Sequence, residues 1–232
     1  MRTRCAAVIR SISRAMPPRS PVPVASLTFP EFARHAGAFL LLDDALAVLR
    51  DRKKVHLDLK FLSDPEDGGD EPPGHEVLLV AHVIEVMGAE NLIVTTLEDQ
   101  SVRLVRDWAR DRHPGLLVGL SLGGDASLRH PLRLVATRLS ELFPGRRIRR
   151  CGANLVVSEK TLARLHVARW AWRHRMPLLV WTVDEPREQR AWLADPRVWL
   201  LTTNYPRRAV ELRRRLAGTP QGAPPRSRER PL

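Results

Sequence analysis

Pro177-Leu-Leu-Val-Trp-Thr-Val-Asp184 and Trp199-Leu-Leu-Thr-Thr-Asn-Tyr-Pro206 decide how this chain is read. Each is a short apolar run, rich in β-branched and aromatic residues, bounded by proline or acid and too short for a buried helix. Each therefore reads as a buried strand. The stretch between them, Glu185 to Asp195, has helical spacing. Strand, helix and strand joined by short connections form a right-handed βαβ unit with parallel strands. Trp181 falls near the carboxyl end of the first strand, the end at which parallel α/β folds bind ligands.

Working back toward the start, the same rhythm recurs. Val55-His-Leu-Asp-Leu-Lys60 alternates strictly, with Val55, Leu57 and Leu59 on one face and His56, Asp58 and Lys60 on the other. Further strands are expected at Asn91–Thr96, Gly115–Leu122 and Ala153–Ser158. Helices are expected at Leu42–Leu49, His75–Met87, Asp99–Arg112, Leu128–Phe143 and Lys160–Arg175. A short helix also opens at Thr28, with Pro30 in its first turn and Glu31 at the capping-box position. Six strands counted from Val55 alternate with helices, which predicts an α/β fold with a parallel sheet. No strand is followed by a glycine-rich phosphate turn, which argues against a nucleotide-binding version. Ser63–Gly74, rich in Asp, Glu, Gly and Pro, reads as a surface loop.

A chain of 232 residues, 44% hydrophobic and 28% charged, is ordinary for one globular α/β domain. The net charge of +12 raises the question of nucleic acid, but the cations are unevenly placed. Residues 1–19 hold five Arg and no acid, Arg146, Arg147, Arg149 and Arg150 form a cluster, and residues 207–232 hold eight Arg against two Glu. The rest of the chain is slightly acidic. Solvated basic ends are expected, with no nucleic-acid footprint on the folded body and binding of anionic surfaces through the tails as a lesser reading. Cys5 and Cys151 have neither disulfide nor zinc spacing and fit a reducing, cytoplasmic setting. No uncharged apolar run is long enough for a membrane span. The acid-free start up to Glu31 superficially fits an organelle transit peptide, a reading outweighed by the cytoplasmic one. The domain expectation is a flexible, basic, Pro-rich segment over 1–26, a folded domain over 27–217 and a disordered basic tail over 218–232.

Val180-Trp-Thr-Val-Asp184, followed by Leu201-Thr-Thr-Asn-Tyr-Pro206, resembles the closing strands of the glycerophosphodiester phosphodiesterases, V-W-T-V-N/D and then I-I-T-D-x-P. His56-Leu-Asp-Leu-Lys60 is similar to that family's L-x-I-E-x-K, and Asn91–Thr96 with Asp99–Gly119 to its V-I-x-S-S-F-D and L-R-x-x-x-P-x-x-x-x-G segments. The resemblance runs from about Leu27 to Arg215. It implies an incomplete β/α (TIM-type) barrel of about six of eight strand–helix units, family strands 3 to 8. It also implies a phosphoric diester hydrolase of lipid metabolism acting on a glycerophosphodiester, with a divalent cation, Ca or Mg, and two histidines. Residue by residue it places Asp58 as a metal carboxylate, Lys60 as a phosphate contact and Trp181 on the alcohol side of the substrate. Asn204 stands where the family has Asp.

The family's H-R-G, E-x-D and H-D motifs have no counterpart here, and none of the eight histidines sits in such a context. Two catalytic histidines and two of three metal carboxylates are thus unmatched. The alternative expectation is a non-catalytic remnant, a truncated gene product or a binding module of the same fold. Core packing for Trp181, and a counterion role toward Asp58 for Lys60, are the bland alternatives. Strand edges left by missing units invite self-association.

Overall fold

Residues 6–7, 28–36, 39–60, 74–123 and 144–218 are described by the computed structural model. In chain order the elements are β1 (Ala6–Ala7), α1 (Phe29–Ala36), α2 (Leu42–Leu49), β2 (Lys54–Leu59), α3 (His75–Met87), β3 (Leu92–Thr96), α4 (Asp99–Arg112) and β4 (Leu117–Leu122). They continue with α5 (Pro144–Cys151), β5 (Leu155–Glu159), α6, β6 (Leu178–Trp181), α7 (Pro186–Ala194), β7 (Leu200–Leu201) and α8 (Pro206–Gly218). Helix α6 runs through Lys160–Leu162, a π-helical turn over Ala163–Val167, and Ala168–Arg173.

The strands follow chain order within the sheet and alternate with helices. The fold is an incomplete TIM-type β/α barrel. The six strands expected from Val55 onward are all present. The sheet has seven, however, so β2 is not its first strand: Ala6 and Ala7 pair in parallel with Lys54 and Val55. Two small residues carry no hydrophobic periodicity, which is why the sequence gives no sign of this pairing. The expected helix at Leu128–Phe143, the Ser63–Gly74 loop up to residue 73 and the tail beyond Gly218 lie outside the described residues.

The chain divides into two compact units, one holding residues 1–119 and 151–153, the other 120–150 and 154–232. In the first, β2 and β3 pair in parallel from Val55 opposite Leu92 to Leu59 opposite Thr96. All five β3 residues are buried, as a parallel strand covered on both faces requires. Helix α3 buries Val80, Val83 and Met87, and α4 buries Ser101, Val102, Val105 and Ala109; both sets follow the helical period. At α1 the Glu31 carboxylate accepts the Thr28 backbone N–H at 2.8 Å, the acidic arm of the expected capping box. The Thr28 hydroxyl donates to that same carboxylate at 2.7 Å.

In the second unit, Val156 to Glu159 pair with Leu178 to Trp181, and Leu179 and Val180 with Leu200 and Leu201. Leu155, Leu178, Leu179 and Val180 are fully buried. Strand β7 is shorter than the expected Trp199–Tyr205 because Thr203 and Asn204 turn their polar groups onto Asp184, and α8 starts at Pro206. Helix α7 starts on Pro186, whose ring fits a first helical position.

Candidate functional site

Strand β2 ends in three polar side chains on one face, and the register explains how they meet. Asp58 lies opposite Thr95, and in a parallel ladder paired residues share a face. The Thr95 hydroxyl donates to Asp58 Oδ1 at 2.9 Å, and Lys60 Nζ lies 2.8 Å from Asp58 Oδ2. His56 Nε2 is 2.7 Å from the same Thr95 oxygen. A hydroxyl has one proton, and here it goes to the carboxylate. His56 must therefore be the donor to Thr95, which fixes the Nε2–H tautomer and leaves Nδ1 as a lone-pair acceptor.

Burial of His56 lowers its pKa from the ordinary 6.5; the Asp58 carboxylate opposes that shift and the Lys60 ammonium adds to it. His56 is thus held neutral near pH 7. Thr95 is almost fully buried, whereas Lys60 and Asp58 expose 56% and 38% of their side chains. The inner half of this chain of bonds is desolvated and fixed, and its outer half faces water.

The arrangement does not fit a divalent cation. Both Asp58 oxygens are already engaged, one by Thr95 and one by an ammonium that would repel a metal. Among the described residues no group of three or more His, Cys, Asp or Glu side chains is placed to hold one. A hard cation needs about six to eight oxygen ligands if it is Ca²⁺, and one carboxylate cannot stand in for them. What the site offers is an anion-accepting ammonium, steadied by its carboxylate, beside a neutral imidazole.

The second unit carries Trp181 at the end of β6, opposite Glu159 in the ladder. Its indole N–H is buried without a hydrogen-bond partner among the described residues, a donor whose desolvation costs about 1–3 kcal/mol unless an acceptor arrives. Trp192 Nε1 shares this condition, but its ring lies in helix α7 beneath the Arg164 guanidinium, 5.7 Å from the ring centre. Glu159 is occupied as a helix cap, accepting from Thr161 N–H at 2.6 Å and Leu162 N–H at 3.2 Å. At the end of β4, Gly123 has φ of 89°, and a Cβ there would lie 2.6 Å from Glu159 Cβ. Only glycine fits this approach.

Just beyond Trp181, Asp184 joins the ends of β6 and β7. It accepts from Asn204 N–H at 2.8 Å, Asn204 Nδ2 at 2.6 Å and the Thr203 hydroxyl at 3.1 Å. Fully buried Gln189 donates to Val183 O at 3.0 Å and to Thr203 Oγ1 at 2.6 Å, and accepts from Arg208 Nε at 2.9 Å. Asn204 is therefore the amide partner of a carboxylate supplied by the neighbouring strand end.

Of the residues singled out from sequence, the structure brings Asp58 and Lys60 together, and Trp181 belongs to the other unit. The Asp58–Lys60 pairing is the counterion arrangement weighed above. His56 and Thr95 carry half of the polar chain and were not singled out. Their signal was present in the strict alternation of β2 and in the paired threonines closing β3. Among the described residues His82 and His174 are tied to local partners, Asp43 and the Trp170 carbonyl.

No protein-family model matches the chain, and no curated protein matches it in sequence. Solved structures do match. A glycerophosphodiester phosphodiesterase from Parabacteroides distasonis superposes with a TM-score of 0.54 at 17% identity, covering 76% of this chain and 64% of its own. A candidate glycerophosphodiester phosphodiesterase from Galdieria sulphuraria gives 0.59 at 15% identity, with 83% and 72% covered. A candidate glycerophosphoryl diester phosphodiesterase from Silicibacter pomeroyi gives 0.50 at 16%, with 71% and 51% covered. The chain shares their fold and spans between half and about three-quarters of their length.

Proposed function

We propose that this chain binds a glycerophosphodiester at the carboxyl ends of its parallel strands, as a phosphodiester-recognising barrel of the glycerophosphodiester phosphodiesterase kind. The observation that carries this reading is Lys60, a half-exposed ammonium at the carboxyl end of β2, held in place by Asp58. An ammonium is a compact charge suited to a phosphoryl oxygen, and the end of a parallel strand is where such folds collect ligands. The substrate class belongs to phospholipid-derived metabolism, in the cytoplasm.

Calorimetric titration with glycerophosphocholine tests this reading. Binding is expected for the chain as it stands and is lost in Lys60→Met, with circular dichroism unchanged. Equal heats for the two proteins, or none for either, would refute it.

Hydrolysis at this centre is the second reading, and His56 favours it. A neutral imidazole in one tautomer, with Nδ1 free of hydrogen-bond partners among the described residues, has the form of a general base. The engaged Asp58 opposes it, since no described group completes a cation site. Turnover of bis-p-nitrophenyl phosphate with Mg²⁺ or Ca²⁺ is accordingly expected to equal that in buffer, with Asp58→Ala without effect. Metal-dependent turnover abolished by Asp58→Ala would establish the hydrolytic reading.

A further inference from the structure

Helix α6 buries one side and leaves much of the other exposed. Ala163, Val167, Ala168 and Ala171 are buried to within 1% of full burial. The opposite side shows Leu165, 70% exposed, and Trp172, 56% exposed, among the exposed Arg164, Arg169 and Arg173, with Arg175 just past the helix end. Residues 160–183 contain no acid. Lys160 and Arg164 share Glu188 as a counterion, at 2.7 and 3.3 Å. Among the described residues Arg169, Arg173 and Arg175 have no ion-pair partner. Cations near a helix C-terminus suit the helix dipole, which accounts for Arg173 and Arg175 but not for an exposed leucine and indole beside them. The neighbouring Trp170 behaves differently, stacking on His174 with ring centres 4.3 Å apart.

We propose that this face of α6 docks on an anionic lipid surface, with Trp172 and Leu165 entering the headgroup–acyl boundary and Arg169, Arg173 and Arg175 meeting lipid phosphates. The charge selects an anionic partner, and the apolar pair selects among anionic partners. An indole on a basic face also suits stacking on single-stranded nucleic acid. An aliphatic side chain as exposed as Leu165 gains nothing from a phosphate backbone, whereas the membrane interface takes leucine, indole and arginine together. This surface does not depend on the diester reading of the β2 site.

The test is co-sedimentation of the full chain with vesicles of phosphatidylcholine alone or mixed with phosphatidylserine. Binding is expected to the mixed vesicles only and to weaken with salt. Each arginine at an anionic surface contributes a factor of about five, so the Arg169→Gln/Arg173→Gln/Arg175→Gln variant loses on the order of a hundredfold. Leu165→Gln/Trp172→Ala, which removes apolar burial and no charge, loses about tenfold or more. Thermal unfolding at the wild-type temperature shows that each variant is folded. Three outcomes overturn the proposal: equal binding to both kinds of vesicle, wild-type affinity in the Leu165→Gln/Trp172→Ala variant, which would assign the binding to the basic ends, or binding confined to oligonucleotides.

Discussion

Asn204→Asp is a substitution that the second unit absorbs poorly. It replaces the amide that donates to Asp184 Oδ2 at 2.6 Å with a second carboxylate. A hydrogen bond to a charged group, worth about 1.5–3 kcal/mol, is lost. Two like charges then face each other; relaxed to about 4 Å, they cost roughly 1 kcal/mol at the dielectric of water and about 4 at an effective value near 20. Asn204 is exposed and Asp184 only half-buried, so water screens the pair and the net loss is about 2–4 kcal/mol. Thermal unfolding by calorimetry should fall by roughly 4–16 °C. The deficit should shrink at acid pH, where one carboxyl of the pair takes a proton.

The decisive arm is the exchange Asp184→Asn/Asn204→Asp. The amide at 184 keeps an oxygen for the Thr203 hydroxyl and the residue-204 N–H, and its NH₂ donates to the new carboxylate. Most of the stability is expected to return, giving a coupling energy of about 1–3 kcal/mol. The reasoning fails if the single variant is within about 0.5 kcal/mol of wild type, or if the double variant is no better than the single.

Three further outcomes are expected. Thr95→Val leaves the buried His56 N–H without its acceptor and should cost about 1–3 kcal/mol, read by urea unfolding, with loss of the Nε2–H tautomer in long-range ¹H–¹⁵N spectra; an unchanged tautomer would show that the hydroxyl does not set it. Because the folded pKa of His56 is lowered, the folded state disfavours its proton: stability is full above about pH 6.5 and declines as pH falls toward the folded value, a slope that His56→Gln should remove from the stability–pH curve. Gly123→Ala combines a left-handed backbone with a Cβ 2.6 Å from Glu159 Cβ and should cost about 2–4 kcal/mol; a loss under about 1 kcal/mol would mean that β4 and β5 shift apart easily.

The fold was legible because both of its signals are periodic. Strands such as Val55–Lys60 and Leu178–Trp181 alternate or run wholly apolar, and the helices between them repeat at 3.6 residues, so each element states its own type. Boundaries drifted where side-chain hydrogen bonds set them instead. Strand β7 ends early because Thr203 and Asn204 bond to Asp184, a residue 20 positions upstream. Strand β1 escaped notice because an Ala-Ala pair is too short to have a period. Asp58 and Lys60 were found because they share a strand face, and Thr95 was not, because its place beside them depends on the β2–β3 register.

The Asp184–Asn204 pair shows why a motif departure can mislead. Read along the chain, Asn204 in place of an acid looks like a lost carboxylate. Across the strand ends it is half of a carboxylate–amide pair, with the acid at 184 and the amide at 204. Where the resembled pattern has Asn at the first position and Asp at the second, one acid and one amide occupy the pair in the order opposite to Asp184 and Asn204. What physical chemistry constrains is the pair, since two acids repel and two amides forgo a charge-assisted bond. Asp58 differs in kind. Its oxygens are filled by Thr95 and Lys60, and among the described residues no group of three or more His, Cys, Asp or Glu side chains is placed to hold a cation. At 184 and 204 an acid and an amide are joined by a hydrogen bond; at Asp58 the carboxylate is held in an ion pair. That contrast is why phosphodiester recognition through Lys60 is the stronger expectation for this site and metal-assisted hydrolysis the weaker one.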